Sequence, residues 1–434
     1  MDIPRRKDYN NGNEFENNEK DVDEIFFRNV LQNVKTLVLD ESDRLLELGF
    51  RRDIQEILTS LNNSSAESAS ISCHSSFRTR QSASRYNRQT LLFSATLHSS
   101  LLEVVDIVMA TSSFNKDWVS FSEENNNDDK DYHIIDCIDD HDPTTHINDK
   151  TEQSFIVLPP ERFWTGSLEI ILNLITEKKK NKIIVFFEMT HLVQLYFKFL
   201  SSRLGYTTGV WEIHGKLNQR ERTVVARRFR NASSGILLTS DVSARGVDYP
   251  SVSHVIQVGA PSTRTNYIHR IGRTARAGKV GKGLLILPES ERNVVKGMLG
   301  GLKIFVDNRL QTTLLSNEKN SKEFRIRRNL KNELGLLQQE FLIEGNDPSK
   351  IKESLYRAYH SMISYYFQTR RHEGREQSSE SSIVLVNQLI QDFGLPELPA
   401  IDFGRAKSLG IESCRELNVR RNWKDHNWHS NDGF

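Results

Sequence analysis

Short apolar runs alternate with amphipathic stretches along most of the chain, and this alternation restricts the fold more than any other feature. An apolar run without polar interruptions is typical of a parallel strand buried on both faces. Strands that are separated by helical stretches predict a parallel sheet covered by helices on both sides. The runs lie at 34–39, 90–93, 183–187, 236–239, 255–258 and 284–287, and the helical patterns at 51–61, 190–203 and 218–230.

Length and composition are those of a globular protein with two or three domains. The chain has 434 residues, and a domain takes about 150. The chain has 58 basic and 57 acidic residues, so its net charge is close to zero and any basic surface must be local. The three cysteines are widely spaced and form no CxxC pair, which disfavours a disulfide framework or zinc site. No apolar run is long enough to span a membrane and no signal peptide is recognisable, so we expect no membrane partner.

Changes in composition and hydrophobic pattern along the chain predict six segments. Two blocks rich in apolar runs are separated by a stretch dominated by Asp, Glu and Asn, and a helical region with a polar tail follows. We expect a polar lead at 1–24, an incomplete first α/β domain at 25–121, an acidic linker at 122–152, a second α/β domain at 153–300, a helical carboxy-terminal extension at 301–420 and a tail at 421–434.

Asp40 and Glu41 directly follow the first apolar run. Two acids at the carboxyl end of a buried strand are suited to hold Mg²⁺ through water and to orient a water molecule against a nucleotide phosphate. The alternative is an ordinary strand-to-helix turn, with Ser42 or Asp43 near the start of a helix.

Three arginines recur at a spacing of three, at Arg270, Arg273 and Arg276. At this spacing their guanidinium groups lie on one side of a helix or turn, where they can bind phosphate oxygens. A solvated basic face is the alternative. Upstream, Gly246 permits close backbone approach to a ligand and Asp248 can accept a ribose hydroxyl, although Gly246 can equally serve only to shape a loop.

The segment His214–Arg222 offers backbone amides and cationic side chains at a strand-to-helix junction. Backbone N–H groups at a helix start suit phosphate. Taken alone, the segment is equally consistent with a capped surface helix.

Together these segments resemble, in order and spacing, the DEAD-box helicases of superfamily 2. Ser42 stands where that family usually has Ala, and Ala275 where Gly is common. The extension, with segments at 356–366 and 403–410, resembles that of the fungal mitochondrial splicing-suppressor type. Its aromatic residues either stack on bases or form helix core. The matching motifs are Asp40–Asp43, Ser94–Thr96, Ile184–Phe187, His214–Gly215 with Gln219–Arg222, Thr239–Asp248 and His269–Arg276.

The resemblance implies tandem RecA-like parallel-sheet domains, with ATP, Mg²⁺ and RNA as ligands. Asp40 would hold Mg²⁺ through water and Glu41 would activate the attacking water. His269, Arg273 and Arg276 would complete the catalytic set. The other implied roles are coupling for Ser94 and Thr96, ATP contact for Gly246 and Asp248, and RNA contact for His214, Gly215, Gln219, Arg222 and Thr239. RNA contacts would be mainly to the backbone, with little sequence preference.

The sequence contains no G-x-x-x-x-G-K-[ST] loop, which supplies most phosphate contacts in this family. We therefore expect an amino-terminally truncated helicase. The predicted function is ATP hydrolysis coupled to local RNA unwinding in mitochondrial splicing or translation, and the alternative is a non-catalytic RNA-binding fragment. The resemblance implies the mitochondrial matrix, with the nucleolus or cytoplasm as alternatives, and oligomeric state is left open.

Overall fold

The computed structural model describes two units, Met1–Thr144 and Thr145–Phe434. The residues described are 34–42, 45, 50–67, 89–94, 105, 108, 147–177, 180–204, 209–241, 248–276, 278–315, 322–342, 349–369 and 379–420.

The described part of the first unit is a small parallel α/β element. Strand β1 (Thr36–Leu39) pairs with β2 (Gln89–Leu92), and helix α1 (Arg51–Glu67) lies between them in sequence. Ile54 and Leu58 on one face of α1 are buried in a small apolar cluster. These elements match the predicted strands and helix, and α1 extends beyond the predicted end at 61.

The second unit contains a seven-stranded parallel sheet with the order β5-β6-β4-β7-β8-β3-β9. The central strands are completely buried because each has a hydrogen-bonded neighbour on either side and helices on both faces. The strands are β3 (Thr151–Leu158), β4 (Lys182–Phe187), β5 (Val210–Ile213), β6 (Gly235–Thr239), β7 (His254–Val258), β8 (Gly281–Pro288) and β9 (Phe305–Val306).

Helices cover the two faces of this sheet, and the side chains of β4 alternate between them. Ile183 and Val185 join one apolar cluster, whereas Ile184 and Phe186 join the other. The helices between and after the strands are α2 (Pro160–Glu177), α3 (Thr190–Leu204), α4 (Gln219–Asn231), α5 (Arg264–Ile271) and α6 (Asn293–Lys296).

The extension shares its core with the first of these two faces. Trp164 of α2 donates its indole N–H to the carbonyl of Leu385 at 2.9 Å. Glu169 of α2, fully buried, is paired with Arg162 and with Arg327 of the extension. The extension comprises α7 (Asn308–Leu315), α8 (Lys322–Leu342), α9 (Ser349–Ser364), a π-helical turn at Tyr365–Thr369, α10 (Ser379–Asp392), β10 (Ile401–Asp402), α11 (Phe403–Leu409) and β11 (Val419–Arg420).

Three strands of the main sheet were not among the predicted apolar runs: β3, β5 and β9. Strands β3 and β5 mix polar and apolar residues, so they lack a continuous apolar signal, and β9 has only two residues. Strand β3 begins at Thr151, two residues before the predicted start of the second domain, and Thr151 and Glu152 already pair with Gly281 and Lys282. Among the aromatic residues of the extension, Tyr359 and Phe367 are buried in the core, so the helix-core interpretation holds for them.

Candidate functional site

In the first unit, Asp40, Glu41 and Ser42 follow β1 directly. Ser42 is fully buried, and its Oγ donates to the carbonyl oxygens of Leu39 (3.1 Å) and Phe93 (2.9 Å). The Ser42 amide also donates to the carbonyl of Phe93 at 3.0 Å. The hydroxyl of Ser42 therefore joins the carboxyl ends of the two strands, and places the acids beside the start of the Ser94 segment.

The side chain of Asp40 is exposed, with Oδ1 accepting the Glu41 amide at 2.9 Å. Glu41 has a φ of 51°, a conformation that is costly for a non-glycine residue and is found at functional sites. Mg²⁺ retains several waters and takes one or two carboxylates, so an exposed Asp40 fits the water-mediated role. No group of three or more potential metal ligands occurs among the described residues. Thr96 lies outside the described residues.

In the second unit, the predicted RNA-contact residues follow β5 and β6, which are neighbours in the sheet. His214 is buried, and its Nε2 lies 3.4 Å from a carboxylate oxygen of Glu212. Thr239 is also buried, and its Oγ1 donates to the carbonyls of Ile213 (2.7 Å) and Ser240 (2.9 Å). The Thr239 hydroxyl thus adds a side-chain hydrogen bond between β6 and β5.

A capping box begins helix α4. The Asn218 side chain accepts the Glu221 amide, and Glu221 in turn accepts the Asn218 amide, both at 2.9 Å. Arg222, one turn into the helix, donates from Nη2 to the carbonyl of Gly215 at 2.7 Å. The turn that carries Gly215 and the exposed Gln219 is therefore held by the helix that follows it.

A buried arginine network, which the sequence pattern did not reveal, connects the ends of two strands to helix α5. Arg270 is 1% exposed, and it donates from Nε to Asp241 and from Nη2 to both Asp241 and Glu188, at 2.6–2.9 Å. Glu188 follows β4 and Asp241 follows β6. The sequence signal is an acid within two residues of the end of an apolar run, which occurs after β4 and β6 as it does after β1.

This network raises the pKa of Arg270. Burial alone would lower that pKa, but the charges of Glu188 and Asp241 and their hydrogen bonds outweigh burial. Of the three arginines at spacing three, Arg270 is therefore a buried structural residue. It fixes helix α5, which carries His269 and leads to Arg273.

Arg276 and Asp248 contact each other, at 2.8 Å between Nη1 and Oδ1. Hydrogen bonding from Arg276 lowers the pKa of the Asp248 carboxyl. Arg273 is largely buried and donates from Nε to the His269 carbonyl at 3.3 Å. The structure thus brings together a predicted ribose contact and a predicted phosphate contact, whereas Gly246 lies outside the described residues.

Ala275 lies between these two arginines and has a φ of 55°. This is a left-handed conformation in which a Cβ is costly and glycine is preferred. Glycine would adopt this backbone conformation without the cost that Ala275 carries here.

Two protein families match the chain. Residues 16–104 match the family described as DEAD/DEAH box helicase, and residues 166–278 match the helicase conserved C-terminal domain. Both matches contain segments described above, including Asp40–Ser42 and the arginines that follow α5. These two segments of the chain belong to DEAD-box helicase domains.

Relatives in this family differ in how much of their length the chain covers. DEAD-box ATP-dependent RNA helicase 26 of Oryza sativa subsp. japonica is 30% identical over 391 residues, which is 90% of this chain and 59% of that protein. The mitochondrial ATP-dependent RNA helicase cyt-19 of Neurospora crassa is 34% identical over 64% of this chain and 40% of its own length. The chain spans less than two thirds of these relatives.

A solved DEAD-box structure has the same fold. It is that of Mss116p bound to single-stranded RNA and AMP-PNP, with a TM-score of 0.63 and 25% identity, and the match covers 92% of this chain and 68% of that one. This match, with the parallel sheets, confirms the predicted class of tandem RecA-like domains with a helical extension. No described helix has the length and apolar character needed to cross a membrane.

Proposed function

We propose that the chain works in ATP-dependent remodelling of RNA, in which ATP hydrolysis drives local separation of RNA duplexes. One observation carries the proposal: the predicted RNA-contact segment and the Asp241–Arg270–Glu188 network lie at the carboxyl edge of one parallel sheet. In open α/β sheets, ligands bind in the crevice at this edge. The two domain matches and the helicase relatives support the same conclusion.

On the RNA side, Gly215, Gln219 and Arg222 would contact the backbone of one strand. The turn that holds Gly215 is closed by Arg222, and backbone amides at the start of α4 suit phosphate oxygens. None of these groups reads a base edge, so we expect little sequence preference. His214 and Thr239, both buried, would support this surface rather than extend from it.

On the nucleotide side, the exposed carboxylate of Asp40 would hold a hydrated Mg²⁺, which supplies charge neutralisation on the phosphates. Glu41 would orient and deprotonate the attacking water. Arg273 and Arg276 would stabilise the charge that develops on the phosphate, and His269 would position them. Arg276 would leave Asp248 to do so, which would release the Asp248 carboxylate for the ribose.

RNA-stimulated ATP turnover by the full chain tests this function. We expect turnover that rises with RNA and falls at least about 100-fold in Glu41→Gln, because a catalytic base or water-orienting group is removed. Asp53→Asn on the exposed start of α1 is the matched control and should keep wild-type turnover. Turnover that survives Glu41→Gln would reject the proposed role of Glu41.

RNA binding without ATP turnover is the second candidate function. It is favoured by one observation, that the 434 residues contain no phosphate-cradling G-x-x-x-x-G-K-[ST] loop. Absence of turnover together with salt-sensitive RNA binding would select this candidate. Absence of both would reject the two functions together.

We further propose that the protein acts in the mitochondrial matrix, in RNA splicing or translation. Support comes from two relatives whose names are mitochondrial, cyt-19 and the MSS116 helicase of Saccharomyces cerevisiae, both 34% identical to this chain. Protease protection of the native protein in isolated mitochondria tests the location. Recovery in the nucleolar or cytoplasmic fraction would contradict it.

A further inference from the structure

Helix α4 carries a concentration of positive charge that its cap and its RNA-contact residues leave unexplained. Five of its 13 residues are arginine and one is acidic. That acid, Glu221, accepts the Asn218 amide in the capping box. The whole chain has a net charge of only +1, so this helix is a local basic feature. Its arginines are Arg220, Arg222, Arg227, Arg228 and Arg230.

Most of these arginines lie on the solvent side of the helix. Phe229 is fully buried against the sheet, and Arg222 turns back to the Gly215 carbonyl. Arg220 and Arg227, two helical turns apart, lie on the opposite, exposed face. Arg228 and Arg230 flank that face on its two sides and are also exposed. We call the exposed set Arg220, Arg227, Arg228 and Arg230 the arginine face.

Within the described part of the chain, the side chains of Arg220, Arg227 and Arg228 make no hydrogen bond or ion pair. Arg227 and Arg230 are three residues apart, a spacing at which like charges destabilise a helix by a few tenths of a kcal/mol. Arg228 and Arg230 lie in the last turn, where positive charge complements the helix dipole, but the dipole does not account for Arg220 and Arg227. The arginine face is therefore suited to an external polyanion.

The chemistry of the face favours a phosphate chain over an acidic protein. Val224, 43% exposed, is the large apolar side chain among the arginines, and no exposed aromatic residue accompanies it within α4. Protein interfaces depend on buried aromatic or other large anchors, which this face lacks. Guanidinium groups bind phosphates through paired hydrogen bonds without such anchors.

We propose that the arginine face of α4 binds RNA phosphates that flank the strand held at the sheet edge. This inference rests on the proposed RNA binding by the second unit. The face starts at Arg220, next to the RNA-contact residue Gln219, and reaches Arg227 roughly 10 Å farther along the helix axis. The RNA path thus continues down α4, and an RNA must exceed a minimum length to use it.

RNA length separates this inference from the function on which it rests. The full chain is titrated with single-stranded RNAs of about 8 and about 20 nucleotides, across a range of salt concentrations. The test variant is Arg227→Gln with Arg228→Gln, and Arg227→Lys with Arg228→Lys keeps the charge. The matched control neutralises two exposed basic residues on other helices, Arg309→Gln with Lys331→Gln.

We expect the glutamine variant to bind the short RNA like the wild type and to lose roughly tenfold in affinity for the long RNA at low salt. The slope of log affinity against log salt should become shallower by about 1.4, because two phosphate contacts on a single strand are lost at about 0.7 each. The lysine variant and the control should keep the wild-type slope. Because all four positions are exposed, unchanged thermal unfolding serves as the folding check.

An unchanged affinity and slope for the long RNA would overturn the inference, and binding of the short RNA would still support the proposed function. Failure of the wild-type chain to bind either RNA would reject the proposed function itself. A competition uses polyglutamate with the same total charge as the long RNA. If it displaces the long RNA from the wild type but not from the glutamine variant, the arginine face binds an acidic polypeptide. That outcome also overturns the inference.

Discussion

The sheet of the first unit and the seven-stranded sheet of the second unit have similar strand sequences and very different burial. Val38, within β1 of the first unit, is 52% exposed, and Phe93, just after β2, is 53% exposed. Val185 and Phe186, within β4 of the second unit, are completely buried. All four residues belong to the apolar runs recognised in the sequence, so the runs alone predict the same environment for each of them.

The difference shows that neighbours, rather than strand composition, determine burial. Strand β4 lies between β6 and β7 and has helices on both faces, whereas β1 pairs with β2 in a sheet of two strands within the described residues. The residues of the candidate site follow the same division. Arg270 joins two strand ends to α5 in the second unit through ion pairs of its buried guanidinium, whereas Ser42 joins two strand ends in the first unit through hydrogen bonds to backbone.

The largest expected effect is at Arg270. Arg270→Ala leaves Glu188 and Asp241 without their buried partner, and removing one member of a buried ion pair costs about 3–5 kcal/mol. Urea unfolding of the second unit measures this cost. Arg276→Ala, which breaks the exposed pair with Asp248, should cost less than about 1 kcal/mol. If both variants lose the same free energy of unfolding, the buried network of Arg270 is no more stabilising than the exposed pair of Arg276.

The same substitution in both sheets tests the comparison directly. Val185→Ala should destabilise the second unit by roughly 2–3 kcal/mol, because two buried methyl groups are lost and a cavity remains. Val38→Ala should change stability by less than about 0.5 kcal/mol, since the side chain is half exposed. Urea unfolding, assigned to each unit by hydrogen exchange, gives both values. A cost at Val38 equal to that at Val185 would show that the first sheet is as well covered as the second.

Acidification should change the stability of the extension through two groups, His360 and Asp392, whose contributions have opposite signs. Burial, with the charge of Arg405, lowers the pKa of His360 to about 4, so the unfolded chain takes up the proton first. The stability that His360 contributes is complete above pH 6.5 and is lost as the pH falls towards 4. Burial raises the pKa of Asp392 to about 6, so its contribution is complete below pH 4 and is lost as the pH rises through 6.

Unfolding midpoints between pH 4 and 6.5 separate these two groups. His360→Gln should weaken the loss of stability on acidification, whereas Asp392→Asn should steepen it, because the opposing contribution disappears. If the unfolding midpoint of both variants changes with pH as it does in the wild type, neither group is coupled to folding of the shared core.

The smallest expected effect is at Ala275. Ala275→Gly should stabilise the second unit by up to about 1 kcal/mol, because glycine adopts the positive φ without a Cβ penalty. Ala226→Gly in the middle of α4 is the control and should destabilise by about as much. Thermal unfolding resolves the sign. Destabilisation in both variants would show that the Ala275 methyl, which is buried, contributes more by packing than it costs in strain.

The sequence predicted the fold wherever a single physical signal was continuous. The apolar runs at β4, β6, β7 and β8 were recognised because strands buried on both faces are predominantly apolar. Strand β5, Val210–Ile213, was missed because Glu212 interrupts it, and it lies at one edge of the sheet, where burial is incomplete. Strand β9 has two residues and gives almost no pattern.

For the site, the sequence predicted which segments would meet but not how their side chains would pair. Gly215 lies near the start of α4 because the two are close in sequence. The pairing of Arg270 with Glu188 and Asp241 depends on strand order in the sheet, which no local pattern specifies. The contact between Asp248 and Arg276 likewise joins residues 28 positions apart.

RNA binding by the full chain tests the central claim most directly, that the sheet edge of the second unit holds the RNA backbone. Affinities for adenine-rich and uridine-rich single strands are measured for the wild type and Arg222→Gln over a range of salt concentrations. We predict similar affinities for the two sequences, weakening with salt, and a variant that binds both more weakly with a slope smaller by about 0.7. A strong sequence preference, or an Arg222→Gln variant that binds like the wild type, would contradict the claim.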